Sequence, residues 1–468
     1  MKVLVVCNRL APTLELAHLV RALPRISSLE PVVLLGARDL KKSLPPDVFN
    51  HAIEHVLTKE IAHPLGFNPG RMWSLAAKAA RVFRLDVLAD FLLVLRAAKI
   101  GERVLDTLLN QHPSIRAVVT ADDRSLGFEF GVVHAARQRA IASVTVPFAL
   151  SDPGGDWLRR RERDEFAVGA GNRWTRRLKQ KLADAYPANV REQEGVQLMF
   201  LTSGQVLGLQ YLGAPFPAPW AYGGGATDVV TLYSESIRER QLELGVPAHK
   251  LAVTGQCAMD DLHALAMRRD ELKHELSKRY GLRSGQPLIV LAVPQHAEHG
   301  LMAAAQHDAL TAGLFSDLGA TGATLLLSLH PRSRPEDYRQ AAEQAGAVIS
   351  DRPLLEILPA ADLFVATHSS TVRWAILLGT PAMVLDDFGV GANGMFEASN
   401  VTFVTDRSLV RETARSMLTR THAEQENMPH PAAPDLFDGG SSRRVTALLE
   451  SLSAPRRCPT GSTGPESG

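Results

Sequence analysis

Strand-length apolar runs recur along this chain at helix-length intervals, and no other feature restricts its fold as strongly. Residues 3–7, 32–36, 117–121, 143–149 and 198–202 form one series; residues 288–293, 324–330, 363–366, 381–386 and 401–405 form another. β-Branched residues crowd these runs and helical apolar patterns separate them, which is the signature of parallel sheets joined by crossover helices. Two series predict an α/β protein of two doubly wound, Rossmann-like domains. At 468 residues the chain also exceeds what one ordinary core organises.

The pattern predicts an N-terminal domain over 1–245, a second domain over 246–435, a C-terminal helix over 436–452 and a disordered tail over 453–468. The changeover is placed within 223–286, just after the Pro- and Gly-rich stretch "LGAPFPAPWAYGGGATD". The polar, basic and aromatic segment "SDPGGDWLRRRERDEFAVGAGNRWTRRLKQKL" reads as an excursion from the first sheet. With 51 basic and 50 acidic side chains, no global field points to nucleic acid or an anionic membrane. Cys7, Cys257 and Cys458 lie far apart, a usage that fits a reducing compartment and argues against a zinc site or disulfide framework. The opening "MKVLVVCNRL" lacks signal-peptide design, and no segment offers the roughly 20 apolar residues of a membrane span. A cytoplasmic protein is expected, with peripheral contact to the inner membrane compatible.

Ligands of open parallel sheets bind beyond the carboxyl ends of the strands, so the residues there carry the functional reading. In the second series these are Gln295, His296, Glu298 and His299; His330 and Arg332; Thr367, His368, Ser369, Ser370 and Thr371; and Asp386 and Asp387. The Ser/Thr run reads as a helix cap longer than capping needs, compatible with phosphate binding. A metal on His296 and His299 is conceivable, but HExxH spacing is absent, and contact with a leaving phosphate is the preferred reading. In the first series, Asn8 and Arg9 stand where they touch acceptor or donor phosphate or make an ordinary turn. Asp122 and Asp123 are either bases for an acceptor hydroxyl or N-caps. The run Arg159, Arg160, Arg161 with Arg173, Arg176 and Arg177 either attracts an anionic acceptor or is a solvated face.

The order of "VTGQCAMDDL", "LSLHPRSRPEDY", "PLLEILPAADLFVATHSSTVRWAILLGTPAMVLD" and "DLFDGGSSRRVTALL" resembles the C-terminal half of GT-B glycosyltransferase-like proteins. It is most similar to their bacterial surface-polysaccharide branch: CDP-glycerol glycerophosphotransferases, capsule sugar transferases and non-hydrolysing UDP-N-acetylglucosamine 2-epimerases. The match spans residues 253–449, with support in front from "TADDRSLGFEFGVVHAARQRAIASVTVPFAL". The resemblance implies a GT-B fold and a donor activated by CMP, CDP or UDP. It also implies a glycan or lipid-linked acceptor, and neither cofactor nor metal. The strand–His-Pro segment and the Ser/Thr turn would line the nucleotide-diphosphate pocket. Gln295, His299, His330, Arg332, Thr367, His368, Ser369, Ser370 and Thr371 are therefore the expected nucleotide and phosphate ligands. Asp122, Asp123 and His296 are the expected catalytic groups; Asn8, Arg9 and Asp387 lie at the acceptor or donor edge. The chain departs from the family where many members hold the ribose with a Glu, offering Val372-Arg373-Trp374 instead. There Trp374 is either a core residue or a base-stacking surface. Transfer of a glycosyl or polyol-phosphate group to a surface glycan is the expected activity; the alternatives are a nucleotide-sugar 2-epimerase and an inactive nucleotide-binding protein.

Overall fold

In the first β-strand, Lys2–Cys7, Val3, Val5 and Cys7 enter one core while Leu4 and Val6 enter another, so the strand is buried on both faces. That is why its apolar run is continuous rather than alternating. A computed structural model of the chain describes residues 1–57, 69–82, 85–282, 285–298, 301–330, 333–367, 369–387, 398–419 and 436–453. His299, Arg332, His368 and residues 454–468 of the expected tail lie outside them.

The described chain forms two compact units, Met1–Ala258 with the chain from Gly440 onward, and Met259–Gly439. The first contains β1 (Lys2–Cys7), β2 (Glu30–Leu35), β3 (Ile53–Val56), β4 (Ile115–Thr120), β5 (Ala142–Thr145), β6 (Val190–Gln193), β7 (Val196–Met199), β8 (Val229–Leu232) and β9 (Leu251–Val253). Seven of these make a parallel sheet in the order β3-β2-β1-β4-β5-β8-β9. Strand β9, placed by the sequence in the second domain, is thus the edge of the first sheet. The run at 198–202 is not a strand of this sheet either. Its start belongs to an antiparallel β6–β7 hairpin whose two-residue turn, Glu194-Gly195, has positive φ at both positions. Such a turn matches the twist of a hairpin, and the apolar run feeds a satellite core around Trp157, Leu182, Phe200 and Trp220. Strand β3 was not anticipated.

The second unit contains β10 (Leu288–Ala292), β11 (Thr324–Ser328), β12 (Val348–Ile349), β13 (Leu363–Ala366), β14 (Ala382–Leu385) and β15 (Val401–Val404), all parallel in the order β12-β11-β10-β13-β14-β15. Ile289, Leu291, Leu327 and Val365 face one of its cores and Val290, Leu326 and Phe364 the other. The C-terminal helix, Ser441–Ser453, belongs to the first unit: Val445 and Leu449 enter the β1 core, and the Arg444 guanidinium donates to the Thr254 carbonyl at 2.7 Å. Among the described residues no helix is long and apolar enough to cross a membrane.

Both sheets reverse their order at one place, between β1 and β4 in the first and between β10 and β13 in the second. These switch points open a crevice at the carboxyl ends of the strands, where open α/β sheets take their ligands.

Candidate active site at the two switch points

At the first switch point, β1 delivers Asn8 and Arg9 and β4 delivers Asp122 and Asp123. The Arg9 guanidinium donates to Asp122 Oδ2 at 2.5 Å, the Ser125 hydroxyl to the same oxygen at 2.6 Å, and the Arg124 backbone N–H to Oδ1 at 2.9 Å. Burial alone would raise the Asp122 carboxyl. The Ser125 and Arg124 hydrogen bonds and the Arg124 and Arg9 charges outweigh it and hold Asp122 below the ordinary carboxylate range. A carboxylate so stabilised is a weak proton acceptor.

Asp123 turns the other way. Its carboxylate accepts the backbone N–H groups of Gly223 and Gly225 at 3.1 and 2.8 Å. Burial pushes this carboxyl up despite nearby Lys250, whose ammonium donates to the Gly225 carbonyl at 2.9 Å. The glycine run is required here: a Cβ on Gly225 would run into the Asp123 carbonyl and one on Gly224 into the Ala218 carbonyl. Asp123 therefore ties the end of β4 to the loop entering β8.

The sequence did not single out Glu129, on the first turn of helix Phe128–Gln138. Its side chain is 2% exposed and leaves Oε2 without a hydrogen-bond partner among the described residues. Burial first, and then the neighbouring Asp122 charge, push its carboxyl up to about 7 against the pull of Arg9 and Asn8. Its helix is fixed by a close crossing with helix Asp86–Gln111, where a Cβ on Gly131 would collide with the Ala97 carbonyl and one on Gly101 with the Gly131 backbone. The available signal was a carboxylate inside "FEFGVVHAA", an otherwise apolar helix face.

At the second switch point His296, 5% exposed, follows β10 and meets Asp387, which follows β14, at 2.8 Å between Nε2 and Oδ2. Arg407, after β15, grips both Asp387 oxygens at 2.6 Å. Burial disfavours the Asp387 charge, but the His296 and Arg407 hydrogen bonds and charges prevail and hold its carboxyl low. An ionised carboxylate only accepts, so the His296 proton sits on Nε2 and the basic nitrogen of the neutral ring is Nδ1. Sequence reasoning named His296 and Asp387 separately and missed Arg407.

A second network starts beside it: Gln295 donates to the Ser333 hydroxyl at 3.5 Å, and Ser333 and the Tyr338 hydroxyl donate to Glu298 Oε1 at 3.2 and 3.3 Å. His307 Nε2 lies 3.4 Å from the Tyr338 oxygen. His330 stands half-buried after β11, and its carbonyl accepts the Ser333 N–H at 2.9 Å. Thr367, Ser369, Ser370 and Thr371 do follow β13, but they do not cap a long helix. Helix Val372–Leu377 has six residues and no side-chain cap; instead Ser369 and Thr371 share a hydroxyl–hydroxyl hydrogen bond of 2.9 Å. Helix dipole therefore supplies little at this turn, and its hydroxyls are its chemistry. Trp374 is half-buried against the core beneath, as a packing residue.

The basic run divides. Arg160 stacks 4.0 Å over the Phe200 ring and joins Arg124 and Arg159 on Asp156, while Arg161 pairs with Glu194 at 3.1 Å. Arg173, Arg176 and Arg177 are exposed. Among the described residues no three His, Cys, Asp or Glu side chains are arranged to hold a metal ion.

Neither a protein-family model nor a curated protein sequence matches the chain. Solved structures do. The UDP-GlcNAc 2-epimerase from Neisseria meningitidis bound to UDP-GlcNAc superposes with a TM-score of 0.55 at 12% identity, covering 96% of this chain and 100% of that one. The S. aureus MnaA–UDP co-structure gives 0.51 at 14% identity, covering 96% of each chain. The wall teichoic acid polymerase TagF soaked with CDPG gives 0.50 at 10% identity, covering 96% of this chain and 88% of that one. This chain has the GT-B-like fold. Identity this low establishes architecture, which the order of the sequence motifs had anticipated.

Proposed function

We propose that the chain is an enzyme that binds a nucleotide-activated donor at the second switch point and transfers its glycosyl or polyol-phosphate group to a hydroxyl-bearing glycan or lipid-linked acceptor. The observation that carries this reading is the His296–Asp387–Arg407 cluster, assembled from three strand ends of the GT-B-like second unit. Asp387 orients His296, and Arg407 keeps Asp387 ionised. With Nε2–H given to Asp387, the imidazole donates to the leaving phosphate from Nδ1 when that nitrogen too is protonated, and His330 and the hydroxyls of Ser369, Ser370 and Thr371 add donors at adjacent strand ends. Gln295 and Thr367 complete this set. Developing charge on the departing nucleotide is met by hydrogen bonds already in place, which is the largest rate contribution such a site supplies.

A second reading, a nucleotide-sugar 2-epimerase, is favoured by the epimerase neighbours that hold UDP or UDP-GlcNAc. An epimerase needs no acceptor. Incubating the purified protein with UDP-N-acetylglucosamine alone separates the two: conversion to the 2-epimer supports the second reading, and an unchanged donor that is consumed only when a hydroxyl acceptor is added supports the first. A thermal-shift panel of CMP, CDP, UDP and GDP derivatives identifies the nucleotide, since a bound ligand raises the melting temperature by mass action.

A further inference from the structure

We propose that the outward face of helix Arg173–Ala185 docks the chain on an anionic lipid bilayer, with Arg173, Arg177 and Lys181 on headgroup phosphates and the Trp174 indole among the headgroups. The helix is fixed from behind. Leu182 and Ala183 enter the satellite core, and the Lys179 ammonium donates to the Asp164, Ala167 and Ala170 carbonyls at 2.6, 2.8 and 3.2 Å. Asn172 caps the first turn, its side-chain oxygen accepting the Trp174 and Thr175 N–H groups at 3.0 Å. With that face held, the helical period of about 3.6 residues puts Arg173, Arg177 and Lys181 in one exposed row on the opposite side, about 12 Å long, with Trp174 beside it.

Three features of this row point to a partner. Trp174 is 79% exposed, more than any other large apolar side chain among the described residues, and an indole, apolar with one polar N–H, suits the headgroup zone of a bilayer. Arg173, Arg176, Arg177 and Lys181 form no ion pair among the described residues, whereas Arg159, Arg160 and Arg161 of the preceding helix are taken by Asp156 and Glu194. Asp184, at the far end of the same face, accepts from Gln180 at 2.9 Å. The row also works against its own helix. Like charges four residues apart repel, and Arg173 and Arg176 stand in a first turn that carries no acid, at the positive end of the helix dipole. An anionic surface laid over the row removes both penalties. With 51 basic and 50 acidic side chains in the chain, this attraction is local to the helix. A straight row on a convex helix fits a plane, which favours a bilayer over a nucleic-acid strand or a polyanionic glycan.

The test floats the full chain with vesicles of phosphatidylcholine, alone or with about a third phosphatidylglycerol, at low and high salt. Wild type should bind the anionic vesicles only, be released by salt, and shift its tryptophan emission to the blue on binding. The triple variant Arg173→Gln, Arg177→Gln, Lys181→Gln should bind about 100-fold more weakly, roughly fivefold per charge, with an unchanged melting temperature. Trp174→Phe should keep most of the binding and lose the blue shift. Removing the same number of charges at Arg25, Lys42 and Lys278, exposed elsewhere, should leave binding within about twofold. Wild type that floats with neither vesicle, or a triple variant bound as tightly as wild type, overturns the proposal. Wild type that binds a single-stranded oligonucleotide or a polyanionic glycan through these residues, but not the vesicles, overturns the bilayer as the partner. No nucleotide enters the assay, so either result leaves the donor reading standing.

Discussion

At the first switch point Asp122 takes the Arg9 guanidinium, the Ser125 hydroxyl and the Arg124 N–H while the buried Glu129 beside it does not; at the second, one carboxylate, Asp387, is held by an imidazole and a guanidinium together. The sheets share a reversal of strand order and differ in charge balance. Where one carboxylate takes the donors and its neighbour is buried beside it, burial and the neighbouring charge push the second carboxyl up. Where a single carboxylate takes both an imidazole and a guanidinium, it is held ionised. One architecture, used twice in the same chain, thus carries two differently arranged sets of charged groups, and it is the residues after each strand that set the arrangement.

The largest effect expected is on the frame that holds Glu129. Gly131→Ala places a methyl against the Ala97 carbonyl, a backbone atom that has little room to retreat, and should cost about 3 kcal/mol or more, read as a fall in melting temperature. Gly127→Ala, four residues earlier with open space around its Cβ position, is the matched control and should change stability little. Equal losses at both positions would break the claim that the helix crossing fixes this edge.

Next comes the pH dependence of stability. Glu129 has a folded-state value of about 7 against 4.5 for the free side chain, so the folded protein holds this proton more tightly than the unfolded chain. Its contribution is fully present below pH 4.5 and is lost as pH rises through 7. Glu129→Gln should therefore gain on wild type progressively across that window, by an amount on the order of 3 kcal/mol at pH 8. Asp122 and Asp387, both held low, run in the opposite direction: each stabilises the fold above the free Asp value of 3.8, and that contribution fades only as pH falls through the still lower folded-state value. Denaturant titrations at pH 5 and pH 8 on the Gln variant give the sign directly.

Arg407→Ala removes the bidentate partner of Asp387 and should destabilise the second unit by about 2 kcal/mol, less than a fully buried pair because the Arg407 side chain is 28% exposed. A matching loss in the His296→Ala, Arg407→Ala double variant, smaller than the sum of the singles, would show that the three side chains act as one cluster. The smallest change expected is for Ser370→Ala, an exposed hydroxyl, which should stay within about 0.5 kcal/mol of wild-type stability. Any effect of that variant on nucleotide affinity then belongs to ligand contact alone.

Strands buried on both faces were legible because their composition is continuous: Val3 to Cys7 and Leu288 to Ala292 carry little else. Strand β3 escaped because Glu54 and His55 interrupt its pattern at the sheet edge, and the run near 198 misled because a satellite core is as apolar as a strand. The site divides in the same way. Asp122 and His296 could be found by their place after a strand, since that is a local property. The pairing of His296 with Asp387 spans 91 residues, and Asp123 owes its duty to a glycine loop 100 residues away. Glu129 was hidden for a different reason: its burial depends on a glycine crossing between two helices, which no local pattern displays.

Everything proposed for the second switch point depends on a nucleotide binding there through His296. Calorimetric titration of UDP, CDP, CMP and GDP into wild-type and His296→Ala protein tests it most directly. At least one of these nucleotides should bind the wild type, and the variant should lose about tenfold or more in affinity, the worth of one hydrogen bond to a charged group. Equal affinity in the two proteins, or no binding by the wild type, would contradict it.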